Sequence, residues 1–88
     1  MQRWEYLEIN ASESPVKIVR IRGAEVALNN LQDLIKRTFP KAEVDRENEE
    51  KLSVKNVRNH ELINFAGSHG WELVTADGGN WVFKRSTL

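Results

Sequence analysis

Polar and apolar side chains alternate over residues 3–10, RWEYLEIN, with Trp4 and Tyr6 on one side and Leu7 and Ile9 on the other. That pattern predicts a strand whose two faces are both at least partly covered. Turn residues follow at 12–15, Ser-Glu-Ser-Pro. The run 16–22, VKIVRIR, predicts a second strand, but its apolar phase slips between Ile18 and Val19. Such a slip marks a bulge or a sheet edge. Beyond Gly23 the period changes to 3.6. Leu28, Leu31, Leu34, Ile35 and Phe39 form one stripe, predicting a helix over 25–39 that Pro40 ends. Glu25 in its first turn and Lys36 and Arg37 in its last suit the helix dipole.

Residues 41–51 carry three basic and five acidic side chains. They form either a solvated loop or a hairpin in which KLSVKN returns across Glu47-Asn48-Glu49-Glu50, and the hairpin fits slightly better. A second helix is predicted at about 59–69, with Asn59 as N-cap and Leu62, Phe65, Ala66 and His69 on one face. Gly70 stands where a helix end needs a left-handed residue, and Gly67 allows the last turn to pack closely on a sheet. Two strands beginning at Trp71 and Trp81 flank Asp77-Gly78-Gly79, which is hairpin chemistry. A three-residue loop at 77–79 puts Trp71, Leu73, Thr75, Trp81 and Phe83 on one face and sets Glu72 opposite Lys84. A two-residue Gly-Gly loop would separate Trp71 and Leu73 from Trp81 and Phe83. The first register sorts apolar from polar better and is the one expected.

These elements predict an α+β fold, an antiparallel sheet of four or more strands with two helices packed on it, in one domain spanning 1–88. A chain of 88 residues has too little material for a second core. Thirteen basic and thirteen acidic side chains cancel, which disfavours a general electrostatic grip on nucleic acid or anionic membrane. The absence of cysteine removes disulfides, thiolate metal sites and cysteine nucleophiles, and suits a reducing compartment. The N-terminal MQRWEYLEIN does not read as a signal peptide, and no apolar run approaches the ~18–20 residues of a membrane span. A cytoplasmic protein without membrane contact is the expectation.

Trp4-Glu5-Tyr6, the run Leu62-Ile63-Asn64-Phe65-Ala66-Gly67-Ser68-His69-Gly70-Trp71-Glu72-Leu73-Val74, and the closing Phe83-Lys84-Arg85 resemble domain of unknown function 4177. That family comprises small bacterial and phage-encoded proteins with a WEY strand, a helix ending in GxxGWELV and a strand ending in KR. The resemblance covers about 1–10 and 60–86, and this chain departs from the pattern by a long insertion at about 11–58. The family has no assigned activity, so the resemblance implies a fold and no reaction.

Candidate chemistry is sparse. Ala66-Gly67-Ser68-His69-Gly70 superficially matches a nucleophile elbow, but an elbow runs strand, turn, helix, and here the order is helix, turn, strand. His60 and His69 stand nine apart rather than at the spacing of helical metal-ligand pairs. Arg20 and Arg22, alternating on a strand just before a helix N-terminus, form a possible anion-binding site for phosphate or carboxylate. Arginines on an edge strand also serve simply to keep it soluble. Arg3, Arg20, Arg22, Lys84 and Arg85, interleaved with Trp4, Tyr6, Trp81 and Phe83, resemble a single-strand nucleic-acid platform, although the same aromatics are needed for a core.

The sequence therefore predicts a non-enzymatic binding or interaction module without cofactor or metal. Self-association into a homodimer is expected through Leu7, Ile9, Val74 and Val82, placed together on a face that two helices cannot also cover. The alternatives are a nucleic-acid-binding module, and an anion-ligand-binding protein or small enzyme using Arg20 and Arg22.

Overall fold

A computed structural model describes residues 3–23 and 25–86. The elements follow the order β1 (Trp4–Asn10), β2 (Val16–Arg22), α1 (Glu25–Thr38), β3 (Glu43–Asn48), β4 (Lys51–Lys55), α2 (Asn59–Ser68), β5 (Glu72–Asp77) and β6 (Asn80–Ser86). The strands form one sheet in the order β3-β4-β2-β1-β6-β5, every neighbouring pair antiparallel. The fold is α+β, as expected, and the charged segment forms the hairpin β3–β4. The run VKIVRIR is not an edge: β2 lies between β4 and β1.

Both helices pack on the same sheet face. Leu28, Leu31 and Ile35 of α1 and Leu62, Phe65 and Ala66 of α2 join Leu7, Ile9, Ile18, Val44, Leu52, Val54, Trp71 and Phe83 in one buried cluster. The 3.6-residue stripe of α1 is what makes this possible, because it presents one continuous apolar side to strands of period two. Neither helix lies on the opposite face, called the open face below. The register sets Glu8 of β1 between Val19 and Val82, so both valines share that face with Trp4 and Tyr6.

This overturns the grouping of Leu7, Ile9, Val74 and Val82. Leu7 and Ile9 are each only 4% exposed beneath the helices, and Val82 is half-buried on the open face. The error lay in the β1–β6 register: Leu7 stands opposite Phe83 and Glu8 opposite Val82, so Val82 falls on the side away from Leu7 and Ile9 whatever the β5–β6 loop length. Gly78 and Gly79 have φ of +57° and +88° and make a two-residue loop closed by Asp77 opposite Asn80. Left-handed backbone at both positions is what that tight loop requires. The expected separation of Leu73 from Phe83 does not occur, because the register shifts between Leu73 and Thr75. Val74 is a bulged residue, so Leu73 still faces Phe83 while Thr75 faces Val82.

A Schellman motif ends α2 as expected. The Trp71 N–H donates to the Ala66 carbonyl at 3.0 Å, the Gly70 N–H donates to Gly67 at 3.2 Å, and Gly70 has φ +86°. Two smaller expectations fail. Asn59 is the first helical residue, while Arg58 holds the N-cap position without a side-chain cap bond. Gly67 is exposed, and a Cβ there would meet nothing within 4 Å, so no close packing requires glycine.

Candidate functional site

Three short segments, Trp4-Glu5, Trp71-Glu72 and Lys84-Arg85, come from distant parts of the chain and meet at one corner of the sheet. Glu5 pairs with Arg85 and Tyr6 with Lys84 across β1–β6, while Glu72 pairs with Lys84 across β5–β6. Because consecutive strand residues point to opposite faces, each segment sends one residue to each side. On the helix face, the Arg85 guanidinium donates to Glu5 Oε1 from Nε at 2.9 Å and lies 2.7 Å from it at Nη2. It also stacks 4.5 Å from the centroid of the Trp71 ring. On the open face, Lys84 Nζ sits 4.3 Å from the Trp4 ring centroid and 3.6 Å from Glu72 Oε2. The Glu72–Lys84 pair was legible in the sequence; the Glu5–Arg85–Trp71 cluster was missed. The strand period alone would have put Glu5 beside Leu7 and Ile9 on a face that must be buried, and a buried carboxylate requires a cation.

The two arginines of the supposed anion site do not converge. Arg20 stands opposite Leu7 and Arg22 opposite Tyr6, with Ile21 as the extra residue of a bulge, so the pair is split between the faces. Arg20 is 3.5 Å from the Glu50 carboxylate and donates its backbone N–H to the Glu50 carbonyl at 2.7 Å. The basic-aromatic platform is divided likewise. Phe83 is buried and Trp81 packs against the core, leaving Trp4, Tyr6, Arg22 and Lys84 for the open face. Acids are mixed in: Glu8 and Glu72 lie on the same surface, and Lys17 there is paired with Glu47.

The Ser68 hydroxyl donates back to the Phe65 carbonyl at 2.8 Å, and the His69 ring rests 4.5 Å from that of Phe65. These contacts finish a helix and do not activate a nucleophile. Among the described residues, no group of three or more His, Asp or Glu side chains is placed to hold a metal ion, and no helix is long and apolar enough to cross a membrane. A groove of about 470 Å³ between the 11–16 and 54–59 segments offers one acid and one base, Glu13 and Lys55. A wholly apolar void of about 10 Å³ under the helices is too small for a ligand.

The two sheet edges differ more than any concave feature. Edge strand β3, EVDREN, exposes every residue except Val44. Its charges and its bulge at Glu47 are the usual guards of a strand edge. Edge strand β5, ELVTAD, instead exposes Leu73 and Val74, each 49% accessible. Compared with family models, curated proteins and solved structures, the chain matches none.

Proposed function

We propose that the chain is a small cytoplasmic, non-enzymatic interaction module that works as a homodimer. The observation that carries this is the one-sided placement of the helices. Both cover the same face, which leaves an open face bearing Trp4, Tyr6, Val19 and Val82, and an apolar β5 edge, for something outside the protomer. A domain of this size buries only ~60–65% of its unfolded surface, so pairing adds stability that the protomer lacks. The resemblance to domain of unknown function 4177 belongs to the same reading: the residues that carry it include the six of the two-sided corner cluster, whose contacts join β1, β5 and β6. Light scattering or sedimentation at micromolar concentration tests the proposal, with a species of two protomers expected. A species of 10.2 kDa throughout would defeat it.

A second reading, a nucleic-acid-binding module, is favoured by one arrangement: Lys84 over Trp4 and Arg22 opposite Tyr6 on the open face. Titration with short single-stranded DNA or RNA should then quench tryptophan fluorescence, with affinity falling steeply as salt rises. Fluorescence unchanged by either strand would remove this reading.

A further inference from the structure

We infer that β5 is the strand through which the protein self-associates, pairing antiparallel with β5 of a second copy about a two-fold axis between Leu73 and Val74. The inference rests on the homodimer reading and gives it a site. Among the described residues, strand β5 is paired with another strand on one side only, with β6, so its outer row of backbone N–H and C=O groups is a template for another strand. Its partner must match an apolar centre, Leu73-Val74, flanked by acids at Glu72 and Asp77.

A second copy supplies that match in this register. Leu73 then faces the partner's Val74, and Glu72 faces the partner's Thr75, a hydroxyl rather than a charge. Glu72 and Thr75 also share the open face within each protomer, since they stand opposite Lys84 and Val82 of β6, so the pleats of the two copies agree. An axis one position along, between Val74 and Thr75, would set Glu72 against the partner's Asp77. Like charges directly opposite are destabilising, and this selects the first register. The chain's balanced charge, thirteen basic and thirteen acidic residues, leaves no net repulsion between copies. The bulge at Val74 is not a sufficient guard. It is already required to reconcile the Gly78-Gly79 turn with the Leu73–Phe83 pairing, and Val74 remains half exposed.

The experiment compares wild type, Val74→Lys and Val82→Lys by sedimentation across a concentration series, with circular dichroism and thermal melting to check folding. The expected result is a wild-type dimer and a folded Val74→Lys protomer whose self-association is weakened by at least about tenfold, as desolvating an ammonium at the centre of a strand pair implies. Val82→Lys should leave the dimer in place. A dimer that survives Val74→Lys overturns the edge assignment while keeping self-association, and loss of the dimer in Val82→Lys alone would move it to the open face. A wild type that is monomeric at every concentration overturns both proposals. Should Val74→Lys not fold, hydrogen exchange on the wild type decides. Protection of the β5 amides must rise with protein concentration, and protection independent of concentration refutes the pairing.

Discussion

The corner cluster builds the same trio twice, once on each side of the sheet: an aromatic ring, a cation and a carboxylate. On the helix face these are Trp71, Arg85 and Glu5; on the open face, Trp4, Lys84 and Glu72. Burial separates them. The Glu5 side chain is 10% exposed and that of Glu72 is 67% exposed. One trio is therefore part of the core wall, where the buried Glu5 and Trp71 depend on an Arg85 that water still partly reaches. The other is a surface ornament that water can replace. Sequence neighbours of identical type thus have very different energetic meaning, and the strand pleat is the whole reason.

The sharpest way to break the comparison is to remove the two rings. Trp71 is 4% exposed, so Trp71→Ala should cost about 3–5 kcal/mol and leave Arg85 without the surface it lies on. In a domain this small such a loss can abolish folding. Trp4 is half-buried, and Trp4→Ala should cost only about 1–2 kcal/mol in lost area and cation–π contact. Denaturant unfolding of both variants measures the difference. Equal costs would mean that the open face is as covered as the helix face.

Next in size is the carboxylate. Replacing Glu5 with alanine strands a guanidinium that is about one third exposed, with 35% of its side chain reached by solvent. Breaking a fully buried pair costs roughly 3–5 kcal/mol, so with water able to reach Arg85 the expected loss is about 2–3 kcal/mol. Arg85 retains a weak 3.4 Å bond to the His69 carbonyl, which offsets little. Thermal melts of Glu5→Ala and Glu5→Gln would check this, the amide variant recovering part of the loss because it can still accept from Arg85. A drop of less than 0.5 kcal/mol, the usual surface range, would place Glu5 outside the core.

How much of this was readable beforehand depends on whether local or distant information decided it. The α1 stripe, the β3–β4 hairpin, the Gly70 cap and the Glu72–Lys84 pair all follow from short-range periodicity and turn chemistry, and all were legible. The side taken by Val82 was not, because it depends on the long-range β1–β6 register, and the β5–β6 turn offered two loop lengths besides. Each option satisfied one local rule: glycine pairs favour a two-residue turn, whereas hydrophobic sorting favoured three. The molecule satisfies both by bulging Val74. A bulge leaves no strong mark in a single sequence, and it reverses the face of everything beyond it. The same device at Ile21 divided Arg20 from Arg22. For the candidate site, the exposed Leu73 and Val74 were visible as residues but not as an edge. Edge position belongs to strand order, which the long β4–α2–β5 crossover sets and no local pattern encodes.

The smallest effect bears most directly on the surface trio. Glu72 and Lys84 are 3.6 Å apart, and their side chains are 67% and 32% exposed. Ion pairs of this kind contribute roughly 0.2–1 kcal/mol, and here Lys84 has a second partner in the Trp4 ring, 4.3 Å from its ammonium. A double-mutant cycle over Glu72→Ala and Lys84→Ala should therefore return a coupling of about 0.2–0.5 kcal/mol, most of which disappears at 1 M salt, where charges are screened within about 3 Å. The Trp4–Lys84 coupling should be of similar size but should persist better in salt, since contact and dispersion between the lysine stem and the ring are not screened. Measuring both cycles at a protein concentration where sedimentation gives a single protomer keeps any association out of the result. If Glu72 and Lys84 couple as strongly as Glu5 and Arg85, exposure does not distinguish the two trios, and the open face at this corner is shielded by something other than solvent.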